Sequence, residues 1–172
     1  MAEGKELEPR ERVRDLLNRR TAAADQQRMS LGRLLDLDST EATAVLAIGR
    51  SGQLTPGELG RRLSMTSGGV TALVQRLGRA GHVRRHPHPG DRRSTLLSLE
   101  PATLEKAATL YAPLVADLDA TVDRLTDAER VIMIRFLERA AELTERHAEV
   151  LAAQATIERA RPVAPPAPGL WA

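Results

Sequence analysis

Arg61, Arg62, Arg76, Arg79, Arg84, Arg85, Arg92 and Arg93 crowd the stretch from Gly60 to Arg93, with a single acid, Asp91, among them. That stretch carries a net +7 in a chain whose total is +2, so the remainder holds −5. A block of cations between acidic flanks is the chemistry of polyanion binding. Its densest part, VRRHPHPGDRRSTLLSL from Val83 to Leu99, sets an arginine pair on either side of a centre rich in Pro and Gly. Pro fixes φ and Gly supplies the unusual one, so HPHPGD reads as a turn, flanked by the strand-like Val83 and Thr95, Leu96, Leu97 and Leu99. The expectation is a hairpin with a basic tip. Asp91 is out of place beside a phosphate backbone unless it orients an arginine, and Arg93 is the partner that a charge-assisted hydrogen bond would hold. Taken alone, such a tip reads equally well as a solvated turn that protects sheet edges. The elements before it decide.

Other chemistries fit less well. Asp91, His88 and Ser94 lie close together, but a catalytic triad needs a buried, oriented array with an oxyanion site, which a hairpin tip does not offer; no catalytic residue is expected. His82 and His86 would share a strand face while His88 sits in the turn, and no carboxylate has suitable spacing, so no metal site is expected either. The chain has no cysteine, which removes disulfides, zinc–thiolate sites and thiol redox sensing. Aromatic residues make up 2% of the chain, one each of Phe136, Tyr111 and Trp171. That is too few for a platform that stacks single-stranded bases. No apolar run approaches the roughly 18 residues of a membrane span, and the charged N-terminus lacks the apolar core of a secretory signal. A cytoplasmic protein with no cofactor and no membrane partner is expected.

The elements that must position the arginines are legible from caps and periodicity. Asp38-Ser39-Thr40-Glu41 predicts a capping box and a helix through Ala44, Val45 and Ile48, stopped near Gly49 and Ser51-Gly52. Gln53-Leu54 is a strand fragment at most. Thr55-Pro56-Gly57-Glu58 opens a short helix, interrupted at Ser64-Met65-Thr66. In the following TSGGVTALVQRLGRAG, Val70, Leu73, Val74 and Leu77 make one apolar stripe. The opposite face carries Gly68, Thr71, Ala72, Gln75, Arg76 and Arg79. Gly68 and Gly69 each weaken a helix by about 1 kcal/mol relative to Ala. Close backbone approach to a phosphate accounts for them, and so does a tight turn between helices. Two helices joined by a short turn, then a basic hairpin, form a winged helix-turn-helix. Its second helix would enter the major groove, with the hairpin reaching the backbone or minor groove.

These residues resemble the MarR family of bacterial winged-helix regulators. The resemblance runs from about Leu37 to Leu99, and more loosely through the helices beyond, and rests on LTPGELGRRLSMTSGGVTALVQRLGRAGHVRR, on HPGDRRSTLLSL with Asp91 and Arg93 in the wing signature, and on LTDAER opening the last helix. It implies an obligate dimer on pseudo-palindromic duplex DNA, usually a repressor released by a small ligand. Carried over, Ser67, Thr71, Gln75 and Arg76 fall at recognition-helix contacts, and Arg93 falls at the minor-groove wing arginine. Glu100 stands where the family commonly has a helix-capping Thr, although Pro101 fits a first turn. The full set of expected DNA-binding residues is Ser67, Gly68, Thr71, Gln75, Arg76, Arg79, Arg85, Arg92 and Arg93, with Asp91 orienting the wing.

The terminal helices support the same architecture. Leu104, Ala108, Tyr111, Val115, Leu118 and Val122 form one helical stripe, and Thr126-Asp127-Ala128-Glu129 caps another helix. Together with a long first helix they leave more apolar face than a small winged lobe covers, which points to a two-fold homodimer. The expected fold is mainly α with a small β-hairpin wing. Its segments are a dimerisation helix at 8–36, the winged domain at 37–99, dimerisation helices at 100–154 and a disordered Pro- and Ala-rich tail at 155–172. An effector pocket with an aliphatic lining is expected between the dimer helices and the DNA-binding lobe. The alternatives are a winged module that binds another protein and a DNA-binding regulator without a ligand.

Overall fold

The computed structural model describes residues 8–160, apart from the side chains of residues 91–93, 159 and 160. Its elements run α1 (Pro9–Leu35), α2 (Ser39–Ser51), α3 (Pro56–Leu63), α4 (Ser67–Arg79), β1 (Val83–His88), β2 (Asp91–Leu99), α5 (Pro101–Asp123) and α6 (Asp127–Ala160). They fall into two compact units, Met1–Pro113 and Leu114–Ala172, so α5 passes from the first to the second at its internal Pro113. Among the described residues no helix is long and apolar enough to cross a membrane.

Local chemistry starts α2, α3 and α4. Asp38 accepts from the Glu41 N–H at 2.8 Å, and Glu41 accepts from the Asp38 N–H at 3.1 Å. Thr55 and Glu58 close the same reciprocal box ahead of α3, at 3.2 and 2.7 Å. These bonds satisfy N–H groups that a helix start leaves unpaired. α3 ends where Ser64 turns left-handed, at φ 52°, and the Met65 N–H reaches back to the Gly60 carbonyl at 2.9 Å. Thr66 then caps α4, its hydroxyl accepting from the Gly69 N–H at 3.3 Å. The whole connection is Ser64, Met65 and Thr66.

The core of this unit gathers one stripe from each element. Leu31 and Leu35 of α1, Val45 and Ile48 of α2, Leu59 of α3, Val70, Leu73, Val74 and Leu77 of α4, Val83 of β1, and Leu97 and Leu99 of β2 pack into a single buried cluster. Each such side chain contributes on the order of 1.5–3 kcal/mol when fully buried. Leu54 adds a single antiparallel bridge to Leu97, which is all the Gln53-Leu54 fragment can support.

The hairpin differs from its expected form. β1 and β2 pair antiparallel from Val83 with Leu99 to Pro87 with Thr95, and the next pair, His88 with Asp91, skips residues 92–94 of β2. Only Pro89 and Gly90 lie outside the strands, so the six-residue turn HPHPGD shrinks to two. A two-stranded ribbon consists of edges alone, and an edge tolerates a proline that cannot donate; Pro87 therefore stays in β1. The skipped residues take up the mismatch as a bulge.

In the second unit, Thr126 and Glu129 cap α6. Arg130 donates to the carbonyls of Val122 and Asp123 at 3.2 and 3.1 Å, satisfying the last turn of α5. The helix runs on to Ala160, taking in the first six residues, 155–160, of the expected tail. AQATIERA contains no breaker, and the next proline in the sequence is Pro162. The rest of the expected tail, 161–172, lies outside the described residues.

Candidate nucleic-acid interface

The short turn before α4 and the buried stripe of that helix fix which side faces outward. Val70, Leu73, Val74 and Leu77 are buried, whereas Ser67, Gly68, Thr71, Gln75, Arg76 and Arg79 are exposed. Thr71 donates its hydroxyl hydrogen to the Ser67 carbonyl at 2.9 Å. The two adjacent glycines have different surroundings. A Cβ on Gly68 would meet nothing within 4 Å, but one on Gly69 would stand 3.2 Å from Met65 Cε and 3.3 Å from Thr66 Oγ1. Gly69 thus serves the tight turn, and Gly68 leaves the first turn of α4 open to an approaching group. Gly60 lets α3 and α4 pack closely, since a Cβ there would lie 3.1 Å from Val70 Cγ2.

Between α3 and α4 a shallow cleft of about 400 Å³ opens on Gly57, Arg61, Ser67 and Thr71. Arg61 was not singled out by sequence reasoning beyond its charge; its signal is its place in the last turn of α3. The neighbouring Arg62 donates to Ser51 Oγ. Glu58, which precedes both arginines, has its carboxyl held below the usual value by the backbone and hydroxyl hydrogen bonds of Thr55, with Arg61 and Arg62 acting in the same direction.

Arg76 stands apart from its neighbours. Its Nε donates to Glu41 Oε1 at 2.9 Å, and a terminal nitrogen lies 3.8 Å from Asp38 Oδ2. The carboxylate partner is 35 residues away in sequence, and no local spacing announces it.

In the wing, Arg85 is exposed on β1, opposite Leu97. Arg84 donates from Nε to Ser98 Oγ at 3.1 Å. Asp91, Arg92 and Arg93 belong to the start of β2, and the expected pairing of Asp91 with Arg93 lies outside the described side chains. His88 Nδ1 accepts from the Gly90 N–H at 3.1 Å, which tightens the two-residue turn. His82 Nδ1 lies 3.0 Å from the Thr103 hydroxyl, and the Glu100 N–H donates to the His82 carbonyl at 2.9 Å. The base of the wing is thereby fastened to the start of α5, where the Glu100 carbonyl accepts from the Leu104 N–H despite the missing capping Thr.

A second cleft, of about 670 Å³, lies between the end of α1 and α5, lined by Leu34, Ala102, Glu105, Lys106, Thr109, Leu110 and Pro113. Its wall is mostly apolar, with Glu105, Lys106 and Thr109 adding polar groups. Nearby in α5, Tyr111 packs partly against the core, and burial pushes its hydroxyl pKa up.

A three-residue turn between α3 and α4, an exposed polar face on the second of them, and an attached basic hairpin define a winged helix-turn-helix protein. The MarR family model matches residues 35–94, from the end of α1 through the start of the wing's second strand. The uncharacterized HTH-type transcriptional regulator YcgE of Bacillus subtilis (strain 168) is 32% identical over 117 residues, which cover 68% of this chain and 76% of that protein. The multiple antibiotic resistance protein MarR of Salmonella typhimurium is 28% identical over 103 residues, 60% of this chain and 72% of its own. Among solved structures, Streptococcus pneumoniae FabT in complex with DNA superposes with a TM-score of 0.57 at 20% identity, over 79% of this chain and 97% of FabT, which speaks to the fold. This chain belongs to the MarR family of transcriptional regulators.

Proposed function

We propose that the chain acts in the cytoplasm as a homodimeric regulator of pseudo-palindromic duplex DNA, and that it represses transcription until a small molecule releases it. One observation carries the reading. The exposed face of α4 gathers Ser67, Gly68, Thr71 and Gln75 within the one stretch of the chain that holds eight arginines against a single acid. Small and polar side chains at the front of the helix suit base edges and a close phosphate. Arg61, Arg79, Arg85 and Arg92 suit the backbone, and Arg93 of the wing, oriented by Asp91, suits the minor groove. The cleft between α1 and α5 is of a size that takes small molecules. A ligand there would bear on both a terminal helix and the helix that follows the wing.

The test is retention on duplex DNA taken from beside its own coding region, measured across a salt series. Neutralised phosphates release counterions, so log affinity falls linearly with log salt, by about 0.9 for each phosphate contacted. A steep negative slope is expected. Absence of DNA retention at low salt would favour the reading in which the winged module docks a protein.

A further inference from the structure

The DNA contact leaves Asp38 and Glu41 unexplained, two acids at the first turn of α2 that engage the recognition helix. Glu41 is partly sheltered, its side chain 14% exposed. One of its oxygens accepts from the Asp38 N–H to close the capping box of α2, and the other accepts from Arg76 Nε. A single carboxylate therefore caps the start of one helix and grips another. The same turn is held from α1, where Arg28 donates to Ser39 Oγ at 2.7 Å.

We propose that Arg76 is a positioning residue rather than a reader of bases: its pairing with Glu41 and Asp38 sets the rotation of α4 about its own axis. The proposal rests on the DNA-binding reading above. The apolar stripe of α4 chooses the buried face, but hydrophobic contact is non-directional and leaves small rotations cheap. A guanidinium–carboxylate bond is directional. A rotation of about 15° moves atoms at the ~5–6 Å radius of a helix surface by about 1.5 Å. That is enough to take Thr71 or Gln75 out of hydrogen-bonding range of a base edge.

Three variants test this: Glu41→Gln, Arg76→Gln and the double. Glu41→Gln keeps an oxygen for the Asp38 N–H, and hence the capping box, while removing the charge that Arg76 pairs with. Affinity for the operator and for an unrelated duplex is measured across a salt series well below the melting temperature, and amide hydrogen exchange of α4 is followed without DNA. Each single variant is expected to lower the operator-to-unrelated ratio by about threefold to tenfold. The double should be no worse than either single, the salt slope should stay unchanged, and exchange in the second half of α4 should quicken in all three. Tighter binding by Glu41→Gln, or a salt slope reduced by about 1 in Arg76→Gln, would overturn the proposal by showing that Arg76 touches a phosphate. Failure of the wild-type chain to bind DNA in the same assay is a distinct result that overturns the DNA reading. The exchange rates then still decide whether the pair fixes α4, and unchanged rates would reject it.

Discussion

Gly68 and Gly69 adjoin in the chain and differ in what surrounds them. Open space around Gly68 means that Ala there meets no steric cost and recovers helix propensity, so Gly68→Ala should stabilise the fold by about 0.5–1 kcal/mol. The same methyl group would hold a phosphate away from the first turn of α4, so DNA affinity should fall as the melting temperature rises. A variant that melts higher and binds DNA unchanged would show that no phosphate comes near Gly68. Gln75 separates reading from holding. It is exposed on the same side as Thr71, one turn further along α4, and Gln75→Ala should relax preference at a few base pairs by about 1–3 kcal/mol while affinity for unrelated duplex hardly changes. Uniform weakening on every sequence would remove Gln75 from the readers. The stripe and the outward face of α4 were legible because a 3.6-residue period sorts them without tertiary knowledge. The partner of Arg76 was not, because nothing in a sequence links Glu41 to a residue 35 positions away.

Helix starts are set within three residues, and all three capping boxes read from the sequence after α1 form as expected, at Asp38–Glu41, Thr55–Glu58 and Thr126–Glu129. Two element ends differ from their expected places, one by an edge effect and one by local sequence. Pro87 stays in a strand because a two-stranded ribbon has only edges, and α6 runs past residue 154 because its sequence holds no breaker before Pro162. The boxes also carry a pH dependence. Hydrogen bonds from Thr55 lower the Glu58 pKa, and those from Thr126 lower that of Glu129. A carboxylate with a depressed folded pKa lends stability that is fully present above its unfolded value and is lost as pH falls through the folded one. Melting temperature should therefore drop as pH is taken below the usual carboxylate range. Thr55→Ala should cost about 1 kcal/mol at neutral pH, and the gap from wild type should narrow in acid, where Glu58 is protonated in both. Thermal melts of the two chains from pH 7 down to the acid limit of solubility check this, and a gap independent of pH would mean that the charge on Glu58 contributes nothing to the cap.

At the scale of the whole molecule, the outstanding feature is apolar surface left bare among the described residues. Leu16 on α1, Leu118 on α5, and Ile132 and Phe136 on α6 are all exposed, Ile132 to 68%. A folded monomer rarely leaves such rows uncovered, and a two-fold partner presenting the same helices would cover them. Ile132→Glu distinguishes a bare face from a covered one, because the two cases differ in sign. On a solvated helix Glu is at least as good a helix former as Ile, so a monomeric protein would be unharmed. Against a partner the new carboxylate loses its water without gaining a counter-charge, which costs several kcal/mol, and the symmetry of a dimer imposes that cost at both copies. The variant is therefore expected to sediment as a folded monomer where the wild type sediments as a dimer. Loss of the dimer should reach the DNA as well. Two linked lobes engage two half-sites with the second contact made almost intramolecular, so a monomer should lose most of its affinity for the full operator and keep what it has for a half-site. Deleting α6 from Thr126 onward should have the same two effects, since the buried core of the winged lobe lies wholly in the first unit. Sedimentation velocity at micromolar concentration, paired with gel shifts on full and half operators, reads both outcomes. An Ile132→Glu chain that stays dimeric and binds the full operator as before would move the interface off this face of α6, and a deletion that did the same would remove α6 from the assembly altogether.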